Sequence, residues 1–493
     1  MITFRPAASV LLVIGGFAAG CGGPISPIDP PPDGREPVDA SIDAPSTSAC
    51  PAANTPINPS LVVNDPTVLA RFSFTRVMDQ LRASADVSSA QSTRALFQAW
   101  MRTFTVSGQS GACNDPTVDP NHFGMACPRG PESKLSVVDP FASNAAVRFR
   151  PVGLFNRFDL APANGANCGE YRIVFAMSST DPTIGGRGLI NFEALLPNPT
   201  PQDGIAACLP VAQFWQALGT DPSPVSRAAK LEAFYFGGTA VPGFPPVVAA
   251  QSYGLARGAT AEHGFGQIRT NFFIDLVEWQ LREFKTRRSC SDSNDAATCR
   301  LVIEHVTNKA NPAEELFGNG HPKSASFQSQ FLAQIPRLAV DDPSLITMAP
   351  ADTFNEYESV SSALNVKYVE FTFPELLSAI GTRLTGMGST LTATDVLNRA
   401  TTQTCAGCHQ VSNNVALGRG LRWPPSLEFT HIDENHALSQ ALLTTFLPHR
   451  RRVLESFINA RCSGAPSARA KLDLDLAIAS KQTIGGSAIG APN

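Results

Sequence analysis

The chain of 493 residues has few tyrosines (5), tryptophans (4), methionines (7) and histidines (8), yet 30 phenylalanines. Cores built from it are dry and aromatic, because phenylalanine buries a large ring without a polar group that needs a partner. Positive charge is not in surplus: Lys and Arg number 38 against 42 Asp and Glu, a formal net charge of −4. That excludes a dedicated nucleic-acid binder, whose footprint is a basic face. After Cys21 no apolar run reaches the ~20 residues that a membrane-crossing helix needs. The patterns G-x-S-x-G, H-E-x-x-H, G-x-x-x-x-G-K-[ST] and G-x-G-x-x-G are all missing. No hydrolase elbow, zinc-protease helix, phosphate loop or dinucleotide turn can therefore be read. His263, His305 and His321 stand far from one another in sequence and read as surface or core histidines.

The first residues do have a pattern. A single basic Arg5 leads into apolar Val10 to Phe17 and then Ala18-Ala19-Gly20-Cys21. This is too short to span a bilayer and reads as an export signal, residues 1–21. Small residues directly before a cysteine resemble the bacterial lipobox. The resemblance implies cleavage before Cys21, lipidation of its thiol, and a lipid anchor to the membrane. Gly22, where no Asp stands, resembles lipoproteins sent on to the outer membrane, so the expected location is the outer membrane facing the periplasm, or the cell surface. A soluble exported protein cleaved near the same point is the other reading. Residues 22–60 are rich in Pro, Asp and Ser and have little to bury, as expected for a disordered tether.

Eleven cysteines in an exported chain point to disulfides. Leaving aside Cys21 and a pair discussed next, eight remain. Short loops favour Cys113 with Cys127 and Cys290 with Cys299; Cys168 with Cys208 is plausible, and Cys50 with Cys462 is the remainder. Sequence does not give the connectivity.

The one run whose residue types and spacing demand a particular chemistry is Cys405-Ala406-Gly407-Cys408-His409. C-x-x-C-H reads as a c-type haem attachment site. Two thiols two residues apart can add to the two vinyl groups of one porphyrin, and the following histidine lies beneath the iron. Three other readings exist for the motif. It could be a structural disulfide. It could be a redox dithiol, which wants a βαβ context where the preceding residues look helical. Or it could be half of a zinc site with His431 and His436, across a gap longer than the usual finger loop.

Residues 61–350 show two early helical patterns (Val68 to Met78, Arg94 to Met101) and then period-two runs at Ala146–Val152, Tyr171–Ala176, Leu189–Leu196, Gln267–Ile274 and Arg300–Val306. Val277–Phe284 fits strand or helix. With helices near Val211–Leu218 and Val225–Phe234, the spacing predicts an α+β, disulfide-braced domain with a mostly antiparallel sheet. Arg148, Arg150, Asn156, Arg157, Asp159, Glu170 and Arg172 cluster among phenylalanines. They read either as a grip for a carboxylated ligand or acidic protein face, or as a paired network at a domain seam, and pairing is favoured because buried charges cost too much alone.

From about Asp352 the pattern turns helical: Tyr357 to Asn365, Pro374 to Ile380, Thr394 to Ala400 with Thr394 as N-cap, and Arg450 to Ile458. Helix, C-x-x-C-H, an irregular loop with Gly418, Gly420, Trp423, Pro424 and Pro425, then a terminal helix: over 351–465 the chain resembles the mono-haem cytochrome c family. The resemblance implies a small all-α domain with one covalent haem c held by Cys405, Cys408 and His409, electron transfer as the role, and a redox partner protein. Residues 466–493 form a tail. The last methionine, Met387, lies upstream of the motif, so the family's usual sixth iron ligand is missing. His449, ahead of the terminal helix, is the first candidate to replace it, then His431; His436 sits in a polar run. A haemless ligand-binding lipoprotein is the alternative, as is an oxidoreductase whose large domain binds the substrate.

Overall fold

In a computed structural model, the described residues are 55–106, 123, 125, 127–254, 266–274, 278–362 and 367–462. The export signal, Cys21, most of the tether, Cys50, Cys113 and the tail lie outside them. All the described residues belong to one compact unit, Ala49–Asn493.

Its centre is an eight-stranded antiparallel sheet, so the fold is α+β. The strands are β1 (Val62–Val63), β2 (Val147–Arg157), β3 (Asn167–Ser179), β4 (Arg187–Pro197), β5 (Gln267–Phe273), β6 (Glu278–Cys290), β7 (Cys299–Val306) and β8 (Glu358–Ser362). β1 to β7 run side by side in sequence order, and β8 pairs with β6. The ambiguous run near residue 280 is thus strand. Each long strand alternates because successive side chains point to opposite faces. One face is phenylalanine: Phe149, Phe175 and Phe192 gather around Phe74 with ring centroids 4.8 to 6.2 Å away. Helices Phe74–Ala83 and Thr93–Met101 cover this face with Val77, Met78, Leu81, Phe97 and Trp100. The other face carries Arg172, Asn191, Glu193, Arg269 and Asn271 and fronts a cavity.

A second core joins helices Ser324–Leu338, Pro374–Gly386 and Ala393–Thr401 through Phe327, Phe331, Ile380, Val396 and Leu397. Helix Leu447–Cys462 instead joins the hydrophobic core of the sheet, its Phe457 ring 4.7 Å from Phe158 in the turn after β2. Residues on both sides of position 350 therefore share sheet and core.

Two local expectations are corrected. The stretch read as helix from Tyr357 contains β8, because its backbone groups pair with β6 from Glu358 opposite Arg282 to Ser362 opposite Glu278. Helix Ala393–Thr401 is capped by Thr392, not Thr394: Asp395 returns its carboxylate to the Thr392 backbone N–H (2.8 Å) while the Thr392 hydroxyl accepts from Asp395 N–H (3.1 Å).

Cys168–Cys208 and Cys290–Cys299 are disulfides. Cys127 is disulfide-bonded, while the pairing of Cys50 with Cys462 lies outside the described side chains. No described helix is long and apolar enough to cross a membrane.

Candidate functional site

Helix Ala393–Thr401 ends three residues before Thr404, and the chain then makes one wide helical turn, Gly407–Val411, that holds Cys408 and His409. Thr404 organises it: its hydroxyl donates to Thr401 O (2.9 Å) and accepts from Gly407 N–H (2.8 Å). Glycine is required at 407, since a Cβ there would lie 1.7 Å from Thr401 O. The motif is pinned to the rest of the fold by Cys405 N–H donating to Asn311 Oδ1 (3.3 Å) and Ala406 N–H donating to Ser359 Oγ of β8 (3.0 Å).

Cys405, Cys408, His409 and His431 line one cavity of about 240 Å³. Ligand pockets usually measure ~300–1,000 Å³, so this space would have to widen to take a porphyrin. The sheet forms one wall, with Phe155, Val174, Leu189 and Leu281 among its charges; Trp423, Ile432, Leu442 and Phe446 form an apolar wall opposite. Cys405 and Cys408 carry thiols outside any disulfide. Burial pushes the Cys405 thiol up to about 12, which is the reverse of the depressed pKa that a redox dithiol uses.

His409 is oriented by the backbone. Its Nδ1 is 2.7 Å from Phe429 O, and a carbonyl only accepts, so Nδ1 carries the proton and Nε2 keeps its lone pair. Metal-binding histidines are usually held this way. Burial pushes the ring's pKa down to about 4, so the imidazole is neutral at pH 7. The same Phe429 carbonyl accepts from Asn271 Nδ2 (2.8 Å), whose Oδ1 in turn accepts from Trp279 Nε1. Trp279 stacks on both His409 and Phe429.

Phe429 lies in a loop that a third side chain bonds at several points. Arg187, at the start of β4, donates to Glu434 (2.9 and 3.0 Å), Leu427 O (3.1 Å), Glu428 O (2.8 Å) and Thr430 Oγ1 (3.2 Å). Glu428 and Phe429 both have left-handed backbone, φ 49° and 71°, a conformation that costs side-chain-bearing residues and needs outside support.

The loop also delivers His431. Its Nδ1 is 2.9 Å from Ser439 Oγ, its Nε2 is 3.3 Å from Cys408 Sγ, and its ring centroid is 4.7 Å from that of His409. Burial holds its pKa well below the usual histidine value. His449, the first candidate by chain distance, is buried in helix Leu447–Cys462 and is not among the described residues lining the cavity. His436 also stands away from it, with Nδ1 3.0 Å from Val152 O. Among the described residues, no group of three or more His, Cys, Asp or Glu side chains is placed to hold a bare metal ion.

The charged wall is largely paired. Arg157 bonds Asp159 at 2.9 and 3.0 Å, Arg172 meets Glu170 and Glu193, and Arg269 bridges Glu193 and Glu283 at 3.0 Å each. The pairing read from sequence thus holds for Arg157, Asp159, Glu170 and Arg172, while Arg148 turns outward to Ser143 O and Ala145 O. Arg269, Glu283, Asn271 and Arg187 were not singled out from sequence. Their strands were recognised, but nothing local marks which polar residues of a strand face a cavity.

The residues present fit a haem: two thiols, a neutral histidine with Nε2 available, a sheltered cavity with apolar surface, and cations in its wall. Searches against family models, curated proteins and solved structures find no match to this chain.

Proposed function

We propose that the chain is a c-type cytochrome, carrying one covalent haem c and passing electrons to or from a redox partner protein. The observation that carries the reading is that Cys405, Cys408 and a pre-oriented His409 line one and the same cavity. Cys405 and Cys408 would hold the porphyrin through thioethers and His409 Nε2 would ligate the iron. When bound, the haem supplies a one-electron couple. The protein's part is to fix the His409 tautomer through Phe429 O, to exclude water with Trp423, Leu442 and Phe446, and to compensate charge from the sheet.

The C-terminal helices would supply the cytochrome c-like half of this arrangement and the sheet face the other wall. As a further iron ligand His431 would serve rather than His449, because His431 lines the cavity with His409, their ring centroids 4.7 Å apart, and His449 does not. Two histidine ligands would give a lower potential than a histidine–methionine pair. Lipidation at Cys21 would anchor the protein to the outer membrane, in the periplasm or at the cell surface.

A haemless binding lipoprotein using the same cavity is the second reading, favoured by the cavity alone. Expression in a periplasm with the c-haem maturation system, then a denaturing gel stained for haem, separates the two. The cytochrome reading expects a stained band that disappears in Cys405→Ala/Cys408→Ala; an unstained parent chain ends it.

A further inference from the structure

Five cationic side chains line the cavity: Arg157, Arg172, Arg269, Lys309 and Arg450. The first three are matched by carboxylates at hydrogen-bonding distance. Arg450 is not. It is 6 % exposed, its Nε has no hydrogen-bond partner, and its nearest carboxylate, Asp159, is 3.8 Å away and already bonded twice by Arg157. Lys309 has no carboxylate within ion-pair distance among the described residues, and its neighbour is another cation, Lys285.

A guanidinium stays protonated in proteins, and a buried charge whose nearest carboxylate is distant and shared with another arginine is poorly compensated, which costs free energy. Burial and the adjacent Arg157 accordingly disfavour the charged form of Arg450. An anion entering the cavity would remove that cost, and a planar carboxylate suits the guanidinium fork. A haem attached at Cys405 and Cys408 brings two carboxylates, its propionates, into this same space.

We propose that Arg450, with Lys309 as the second cation, binds the propionate carboxylates of the haem. This rests on the cytochrome reading. It assigns Arg450 as the anion anchor of the cavity, on the helix that also joins the core of the sheet.

The test compares two ligands that differ only in the carboxylates. The full chain, made without the maturation system and kept reduced, is titrated with haemin and with haemin dimethyl ester, followed by the Soret band. Haemin should bind at least about tenfold tighter than the ester, as expected when a charge pair is lost from a sheltered site. Arg450→Gln should shrink that ratio to about twofold or less, Arg450→Lys should keep most of it, and Lys309→Gln should reduce it in part. Equal affinity of the unaltered chain for acid and ester overturns the proposal before any variant is made. An undiminished ratio in folded Arg450→Gln overturns it too. Succinate bound by the haem-loaded chain but not by loaded Arg450→Gln would put a free carboxylate at this place and overturn it as well. Covalent haem on the matured chain together with equal affinities would sink this inference while leaving the cytochrome reading intact; no covalent haem would sink both.

Discussion

His409 is held by a carbonyl, not by another side chain, and this decides what can disturb it. Phe429 O fixes the tautomer, so no single side-chain deletion removes that bond directly; Asn271→Ala takes away only the second donor. His431 is more exposed to test. On the reading that it completes the iron's coordination, His431→Ala should convert a low-spin ferric spectrum to high-spin, while His449→Ala should leave the spectrum low-spin. A methionine-to-iron charge-transfer band, or a change with His449→Ala alone, would contradict that assignment. Glu283 makes a separate prediction about pH. Burial alone would raise its pKa, but Arg269, Lys309 and Lys285 outweigh burial and hold it down to about 2. The unfolded chain then binds this proton more readily than the folded one, so the stability from Glu283 is fully present above the unfolded carboxylate pKa of ~4.3 and lost as pH falls toward 2. Glu283→Gln should cost about 3 kcal/mol at pH 7, with the difference closing between pH 4.5 and 2 in urea titrations. A pH-independent difference would mean the charge is not what matters there.

The element that controls the site is the loop from Leu427 to Glu434, and Arg187 is what holds it. Arg187→Ala removes six hydrogen bonds, among them the one to the carbonyl of the left-handed Glu428. The expected outcome is a loss of roughly 2–4 kcal/mol, with faster amide exchange confined to the loop; uniform exchange across β3 to β5 would show that Arg187 braces the sheet instead. The Cys168–Cys208 disulfide closes a 40-residue separation, for which chain entropy gives about 4 kcal/mol. Cys168→Ala/Cys208→Ala should lower the urea midpoint accordingly, and an unchanged midpoint would argue against that contribution. The strands were legible because one face is apolar, as Ile173, Phe175 and Met177 alternate with Arg172, Val174 and Ala176. β8 was not, since Glu358-Ser359-Val360-Ser361 has no apolar face and becomes a strand only by pairing with β6. The N-cap shifted from Thr394 to Thr392 for a similar reason: three threonines stand in five residues, and the return bond from Asp395 selects among them.

At the scale of the whole molecule, the sequence separates a sheet-forming stretch from a helical one near residue 350, and the fold brings the two together around one cavity. The motif Cys405 to His409 was visible because its chemistry is local. The wall it faces was not, because Arg172, Asn191, Arg269 and Leu281 come from four strands and meet only through the antiparallel register. Chain distance from His409 favoured His449, whereas the loop anchored at Arg187 brings His431 forward. The central claim is that this cavity holds one haem attached at the motif. The most direct measurement is mass spectrometry of proteolytic peptides from the full chain matured in a periplasm. The account predicts that the peptide containing Cys405, Cys408 and His409 carries one haem on both thiols and that no other peptide does. Recovery of that peptide with both cysteines unmodified, from cells whose other c-type cytochromes are fully matured, would contradict it.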